Sequence, residues 1–381
     1  MKRILNIFYL FFFISFVITQ AQINQRKEVR IPDIEGYKTL KCDFHIHTIF
    51  SDGQVWPEIR VREAWSEGLD AIAITDHLEY QPNKADVSTN HNRSYEIAKP
   101  AADKAGIILI KGAEITRGMP PGHLNLIFVK DAEALVKEDW KETVLEGKKQ
   151  GAILFRNHPG WRAQEPDGIG KWYPEHTWLE QQDMLMGIEV INDRDYYPEV
   201  HNWLNEKKLT FMGNTDIHDP VAWVYNFQLG EHRPMTIVFA KEKTPEAIKE
   251  ALMEHRTVVY SKNQLIGNEK YLRPIFEKSI HFVSSKVETV GNATCYLWVH
   301  NDSDLPFVMQ LVSNNDMVQF PQNITIPANK TMMFPVRAAR DNVSISETVK
   351  AQYEVKNFLT APDKGTNVTL EFDVNIKPVK K

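Results

Sequence analysis

An α/β barrel followed by a small antiparallel β-sandwich is the fold class that this 381-residue sequence predicts. Three observations predict it. Between about residues 41 and 260, short and continuously apolar runs alternate with amphipathic stretches, the pattern of parallel strands covered by helices. About seven or eight such units occur, enough to close a barrel rather than leave an open sheet. Beyond about residue 272, helical periodicity gives way to period-two alternation.

Residues 40–46 predict the first strand. A helix over 57–67 follows, with Pro57 at its first position and Gly68 just past its end. Strands are predicted over 71–74, 107–110 and 124–129, a helix over 132–149, then strands over 152–155, 188–191, 209–212 and 236–240. Thr244-Pro245 opens a helix that runs to about residue 255, and 257–260 is the last strand of this part. In the C-terminal part, residues 293–299, 307–312, 324–326, 332–336 and 368–376 alternate apolar with polar, separated by Asn, Asp, Ser and Pro. The expected organisation is a signal peptide over 1–21, a barrel over 22–270 and a β-sandwich over 271–381.

The signal peptide rests on three features. Met1-Lys2-Arg3 is basic, residues 4–18 are almost wholly apolar, and Thr19-Gln20-Ala21 offers small residues at −3 and −1 of a cleavage site. The apolar run is short for a membrane span, and no other candidate span follows. A secreted or periplasmic protein is therefore expected. Formal net charge is −5 and no Lys/Arg block stands out, which argues against a large nucleic-acid partner. The two cysteines, Cys42 and Cys295, fall in different predicted domains and are read as buried thiols rather than a disulfide.

Chemistry gathers at strand ends. In Asp43-Phe44-His45-Ile46-His47, residues two apart share a face, so both imidazoles point the same way, and Asp52 follows closely. Asp76-His77 ends the strand over 71–74, Glu114 ends that over 107–110, and His158 ends that over 152–155. Asp216 and His218 follow the strand over 209–212, whereas His123 precedes its strand. In a β/α barrel the strand C-termini converge on one face. Buried carboxylates and imidazoles massed there stay unsatisfied unless cations join them. Mixed imidazole and carboxylate donors without a thiolate run suit Zn, Mn or Fe(II), and nine donors exceed the needs of one ion. Two or three divalent ions are expected, with Glu114 or Asp216 bridging.

These same residues carry a family resemblance. His45-x-His47, Ser51-Asp52-Gly53, Thr75-Asp76-His77, Gly112-Ala113-Glu114, Asn157-His158-Pro159 and Asp216-x-His218 resemble, in order and spacing, the motifs of the PHP (polymerase and histidinol phosphatase) superfamily. The resemblance implies a distorted (β/α)7 TIM-like barrel. It also implies a trinuclear site held by His45, His47, Asp52, His77, Glu114, His123, His158, Asp216 and His218. At the Asp52 position several relatives carry His. The opening Cys42-Asp43-Phe44-His45 and the stretch Arg233-Pro234-Met235-Thr236 further resemble secreted bacterial PHP proteins with a C-terminal β domain, some of them phosphodiesterases of small organophosphate diesters.

The expected function is accordingly hydrolysis of a small phosphate ester, a diester foremost, by in-line attack of a metal-bridging hydroxide. Asp76 or His218 is the expected proton shuttle. Arg117 and Arg194 are the expected phosphate-binding cations, with Arg156 and Arg233 behind them. Trp161, Trp172, Tyr173, Tyr196, Tyr197 and Trp223 are candidates to line the pocket. The rivals are a phosphomonoesterase of the histidinol-phosphatase type, a nuclease of short oligonucleotides, and a non-catalytic metal-binding protein.

Overall fold

The computed structural model describes residues 26–284, 286–313 and 315–379. The expected signal peptide over 1–21 lies outside the described residues. Among them, no helix is long and apolar enough to cross a membrane.

The N-terminal part is built on one curled sheet. Its strands are β1 (Lys38–Asp43), β2 (Ala71–Ile74), β3 (Ile108–Ile115), β4 (Leu124–Ile127), β5 (Ile153–Arg156), β6 (Leu185–Asn192), β7 (Asp195–Tyr196), β8 (Thr210–Asn214), β9 (Met235–Ala240), β10 (Thr257–Ser261) and β11 (Gln264–Gly267). β1, β2 and β4 bury nearly every residue, as the continuous apolar runs require.

The pairing departs from a regular set of seven β/α units. β1–β2, β2–β3, β5–β6 and β6–β8 are parallel. β4, however, runs antiparallel to both β3 and β5, and β9 runs antiparallel to both β1 and β10. For β4 the reason is loop length: the short segment between β3 and β4 holds no crossover helix to return the chain to the same end.

β8 lies near β9 and β10 without a backbone ladder to either. Side chains bridge that seam. Thr236 Oγ1 accepts from the Gly213 amide at 2.9 Å, and Thr257 Oγ1 donates to the Phe211 carbonyl at 2.9 Å. A Cβ at Gly213 would run into Val259 of β10, so only glycine permits the approach.

Several helices lie where the pattern predicts none, and two of them, Arg93–Ala105 and Glu269–Ser279, contain an interior proline. An interior proline argues against helix in sequence. In the second, burial of Tyr271, Leu272, Ile275 and Phe276 on one face overrides it. The helix expected over 132–149 is split into a turn at Glu133–Leu135 and a helix at Trp140–Gln150, because the Asp139 side chain caps the Lys141 amide and starts a new helix there.

The C-terminal part is two packed sheets. One holds Ile280–Phe282, Cys295–Asn301, Lys330–Ala338 and Val318–Gln319; the other holds Lys286–Val290, Thr366–Lys377, Ile345–Val355, Phe307–Ser313 and Asn323–Ile326. All pairs within them are antiparallel except Lys286–Val290 with Thr366–Lys377. Phe358–Leu359 leaves this part and pairs with β11, extending the curled sheet. Both cysteines are free, Cys42 buried and Cys295 half-buried.

Candidate metal centre

The antiparallel course of β4 explains the odd placement of His123. β4 starts where β3 and β5 end, so a residue preceding β4 lies beside residues following the other two; the His123 carbonyl accepts from the Asn157 amide at 3.2 Å. Backbone bridges Ile46–Ile217 and His77–Glu114 continue the pairing past the strand ends and fix the loops that carry the donors. Gly53 lets the loop after β1 fold back: a Cβ there would meet the His47 carbonyl carbon at 2.7 Å.

Glu114 is the centre. Its Oε2 lies 3.3 Å from His45 Nε2, 3.1 Å from His47 Nε2 and 3.0 Å from His77 Nδ1. Its Oε1 lies 2.9 Å from His123 Nδ1 and 3.7 Å from His158 Nε2, and accepts from Asn157 Nδ2 at 2.7 Å. Asp216 Oδ1 lies 3.0 Å from His45 Nε2 and 2.9 Å from His47 Nε2. Asp216 also has φ +54°, a left-handed conformation that Asp tolerates better than most residues. Asp52 Oδ1 lies 3.1 Å from His218 Nε2 and 3.4 Å from His77 Nε2. The nine expected donors thus converge on one cluster.

Three overlapping groups have ligand atoms close enough for one ion each: His47, Asp52, His77 and His218; His45, His47, Glu114 and Asp216; and His77, Glu114 and His123. His158 stands beside the second and third, its Nε2 3.9 Å from Asp216 Oδ2.

Burial opposes charge on His45, His77, Glu114 and Asp216. For His45 and His77 the neighbouring carboxylates outweigh it: His45, facing Asp216, Glu189 and Glu114, is held well above the usual imidazole range, and His77, beside Glu114 and Asp52, is pushed up to about 11. Burial likewise opposes ionisation of Glu114 and Asp216, yet the surrounding imidazoles hold both well below the usual carboxylate range. Protons on histidines thus neutralise the carboxylates when no metal does. Even so, His45 Nε2, His47 Nε2, Asp52 Oδ1 and Glu114 Oε2 are buried without a well-aligned hydrogen bond. Orphaned donor atoms converging in this way fit divalent cations.

Three expected catalytic residues stand elsewhere. Asp76 is occupied by the turn after β1: it accepts from the Thr48 amide at 2.7 Å, Thr48 Oγ1 at 2.8 Å and Ser51 Oγ at 2.9 Å. It is a brace for the His47 loop, since Ser51 Oγ lies 3.3 Å from His47 Nδ1. Arg117 turns away to Glu79 at 3.1 Å and to the carbonyls of Lys137 and Glu138. Arg194 pairs with Glu231 at 3.0 Å and lies over the Tyr225 ring. Arg156 and Arg233 are buried, the first against the Lys171 carbonyl, the second against Glu67 and Asp43. His218 remains at the cluster; its Nδ1 donates to the Asp216 carbonyl at 2.7 Å, leaving Nε2 to act.

The cavity over the cluster is about 580 Å³. Tyr80, Trp161 and Val224 line it together with Asp193, Asp195 and Asp219. Among the described residues, no Lys or Arg does. Of the expected aromatics only Trp161 lines this cavity; Trp172, for example, packs against Trp203. The sequence pattern does not single out the partners behind the histidines, Glu189 at His45 Nδ1 and Thr116 at His77 Nδ1. Glu189 sits on the core strand β6, and a lone acidic residue in an apolar run was the available signal.

A PHP domain is matched over residues 43–162, and an Ig-like domain over residues 280–371. A solved structure from Bacteroides vulgatus, a two-domain protein containing a predicted PHP-like metal-dependent phosphoesterase, is 43% identical with a TM-score of 0.86, and the match covers 92% of this chain and 99% of that one. The chain belongs to the PHP family. An uncharacterized protein of Methanocaldococcus jannaschii is 30% identical over 195 residues, covering 48% of this chain and 83% of its own length. The PHP match spans β1 to the loop after β5, which carries His45 through His158; Asp216 and His218 join from β8. The Ig-like match spans most of both C-terminal sheets.

Proposed function

We propose that this PHP protein is a secreted metal-dependent phosphoesterase that hydrolyses small organophosphate diesters. One observation carries the metal chemistry: four buried ligand atoms, from His45, His47, Asp52 and Glu114, lie in one cluster without a well-aligned hydrogen bond, and Asp52 and Glu114 also line the cavity. The three overlapping donor groups are those of a site for two or three divalent ions, Zn, Mn or Fe, with Glu114 shared between groups. Divalent ions bound there would supply Lewis acidity, an acidified water and charge neutralisation for phosphoryl transfer.

The chain's own residues do the rest. Asp52 and His218 form the cavity side of the cluster, with His218 Nε2 directed at Asp52 Oδ1. Trp161 and Tyr80 offer ring faces to the organic part of an ester. The lack of Lys and Arg in the cavity among the described residues, and its three aspartates besides Asp52 and Asp216, support a singly charged diester over a dianionic monoester. The same acidity disfavours a nucleic-acid polymer as partner. Residues 1–21 support export to the periplasm or beyond.

The test is hydrolysis of bis(p-nitrophenyl) phosphate against p-nitrophenyl phosphate by Mn- or Zn-loaded protein lacking residues 1–21. The expected result is a diester preference lost in His45→Ala and Asp216→Ala. A monoester preference would overturn the diester reading and move the function to a phosphatase. Tightly bound metal with turnover of neither ester would overturn the phosphoesterase reading.

A further inference from the structure

Glu189 is fully buried on β6, in the strand core rather than on a loop. Its Oε1 accepts from His45 Nδ1 at 3.0 Å and from Asn214 Nδ2 at 3.0 Å. Its Oε2 accepts from the His158 amide at 2.9 Å and from Asn192 Nδ2 at 2.8 Å. Among the described residues, no Lys or Arg pairs with it. A carboxylate buried this deeply is costly unless every lone pair is used. Here all four neighbours donate, so the position requires a group that only accepts.

Those four contacts reach one part of the cluster. With Nδ1 directed at Glu189, Nε2 is the ring nitrogen left facing Glu114 and Asp216. The bond to the His158 amide fixes the loop that carries a second imidazole. Asn192, held by Oε2, also lies 3.5 Å from Asp216 Oδ2. None of the four contacts reaches Asp52, His77 or His218.

We propose that Glu189 is a positioning residue that selects Nε2 of His45 as its ligand atom and so governs occupancy of the ion held by His45, Glu114 and Asp216. The ion held among Asp52, His77 and His218 does not depend on it. The proposal rests on the reading of the cluster as a metal centre and makes no use of the phosphoester assignment.

The test is the number and affinity of Mn(II) or Zn(II) ions bound at graded free-metal concentrations, read by elemental analysis, for wild type, Glu189→Gln and His45→Ala. Glu189→Gln is expected to keep its circular dichroism, to bind one ion about 10- to 100-fold more weakly, and to retain the others. His45→Ala is expected to weaken the same ion, and the double variant to be no worse than His45→Ala alone. A folded Glu189→Gln that binds every ion as tightly as wild type would overturn the proposal. Long-range ¹H–¹⁵N NMR of zinc-loaded wild type needs no variant to fold. His45 coordinated through Nε2 with a protonated Nδ1 is expected; coordination through Nδ1 would overturn the proposal. Failure of the metal reading is distinct, because wild type would then bind no divalent ion.

Discussion

Arg60 directs its guanidinium at backbone carbonyls of two ligand loops. Nε donates to the His47 carbonyl at 2.9 Å, and the terminal nitrogens donate to the carbonyls of Ile217, His218 and Asp219 and to Glu63. The side chain is almost wholly buried. Lys carries a single ammonium and cannot reproduce a planar five-donor fork. Arg60→Lys is therefore expected to cost about 3 kcal/mol in urea denaturation, since carbonyls and a buried charge lose partners together; an unchanged midpoint would sink the idea. His176 yields a pH prediction. Its Nδ1 accepts from the Tyr173 amide at 3.0 Å and its Nε2 donates to the Pro121 carbonyl at 2.8 Å, which requires the neutral ring. Burial, with Arg156 beside it, lowers its pKa to about 3. The unfolded chain protonates this ring below its ordinary pKa while the folded one does not. Stability is thus fully present above about pH 6.5 and is lost as pH falls toward 3, by up to about 1.4 kcal/mol per unit. His176→Gln, which can mimic both bonds, is expected to flatten that slope in thermal melts between pH 6.5 and 4.

At the scale of elements, the seam beside β8 depends on Thr236. Its hydroxyl accepts from the Gly213 amide and lies 3.0 Å from the Gly213 carbonyl and 3.2 Å from Asn214 Oδ1. Asn214 in turn receives the Phe44 amide and donates to Glu189, so the seam connects to the strand before His45. Thr236→Val keeps the shape but leaves a buried amide unsatisfied. The expected loss is about 1–3 kcal/mol, with amide exchange at Gly213 accelerated more than at β2. Equal protection of Gly213 in both proteins would show that the seam is held by packing alone. The cluster gives a second prediction at this scale. Because His45 and His77 are held protonated by their carboxylate neighbours, metal uptake near pH 7 should release protons, and apparent affinity should fall as pH falls. Calorimetric titration in two buffers of different ionisation enthalpy measures the release; identical heats would contradict it.

Across the whole molecule, one apolar cluster runs through both parts of the chain. It includes Ile237, Phe239, Leu265, Ile275 and Phe276 from the N-terminal side and Phe307, Phe334, Tyr353 and Phe358 from the C-terminal side. Phe307 packs edge-on against both Phe276 and Phe358. Asn357 Nδ2 donates to the carbonyls of Asn263 and Pro306, pinning the segment whose next residues pair with β11. Independent domains do not share a core in this way. Calorimetry is expected to show one cooperative transition for the curled sheet and the C-terminal sheets together, and two well-separated transitions would refute it. The Ig-like part is then a support for the sheet edge at β11, whatever else it contacts.

Much of this was legible in the chain itself. His45-x-His47, Asp76-His77, Glu114, His158 and Asp216-x-His218 follow apolar runs, and donor chemistry placed after buried strands can be read from periodicity and residue type. The change of texture near residue 272 marked the β-rich part for the same reason. The antiparallel turn of β4 was not legible, because strand direction is set by where the chain must return, which local pattern does not encode. His123 looked anomalous only for that reason. Arg117 and Arg194 seemed placed for phosphate by sequence proximity, yet side-chain direction sent them to Glu79 and Glu231. Asp76 neighbours His77 in the chain, yet its hydrogen bonds bind it to the turn at Thr48 and Ser51. The sequence alone determined that metal-ligating side chains would gather at the ends of buried strands, because burial patterns and donor types are local properties. Only the tertiary structure decided which atoms face one another, that Glu189 stands behind His45, and that the cavity is acidic, because those depend on contacts between residues far apart in the chain.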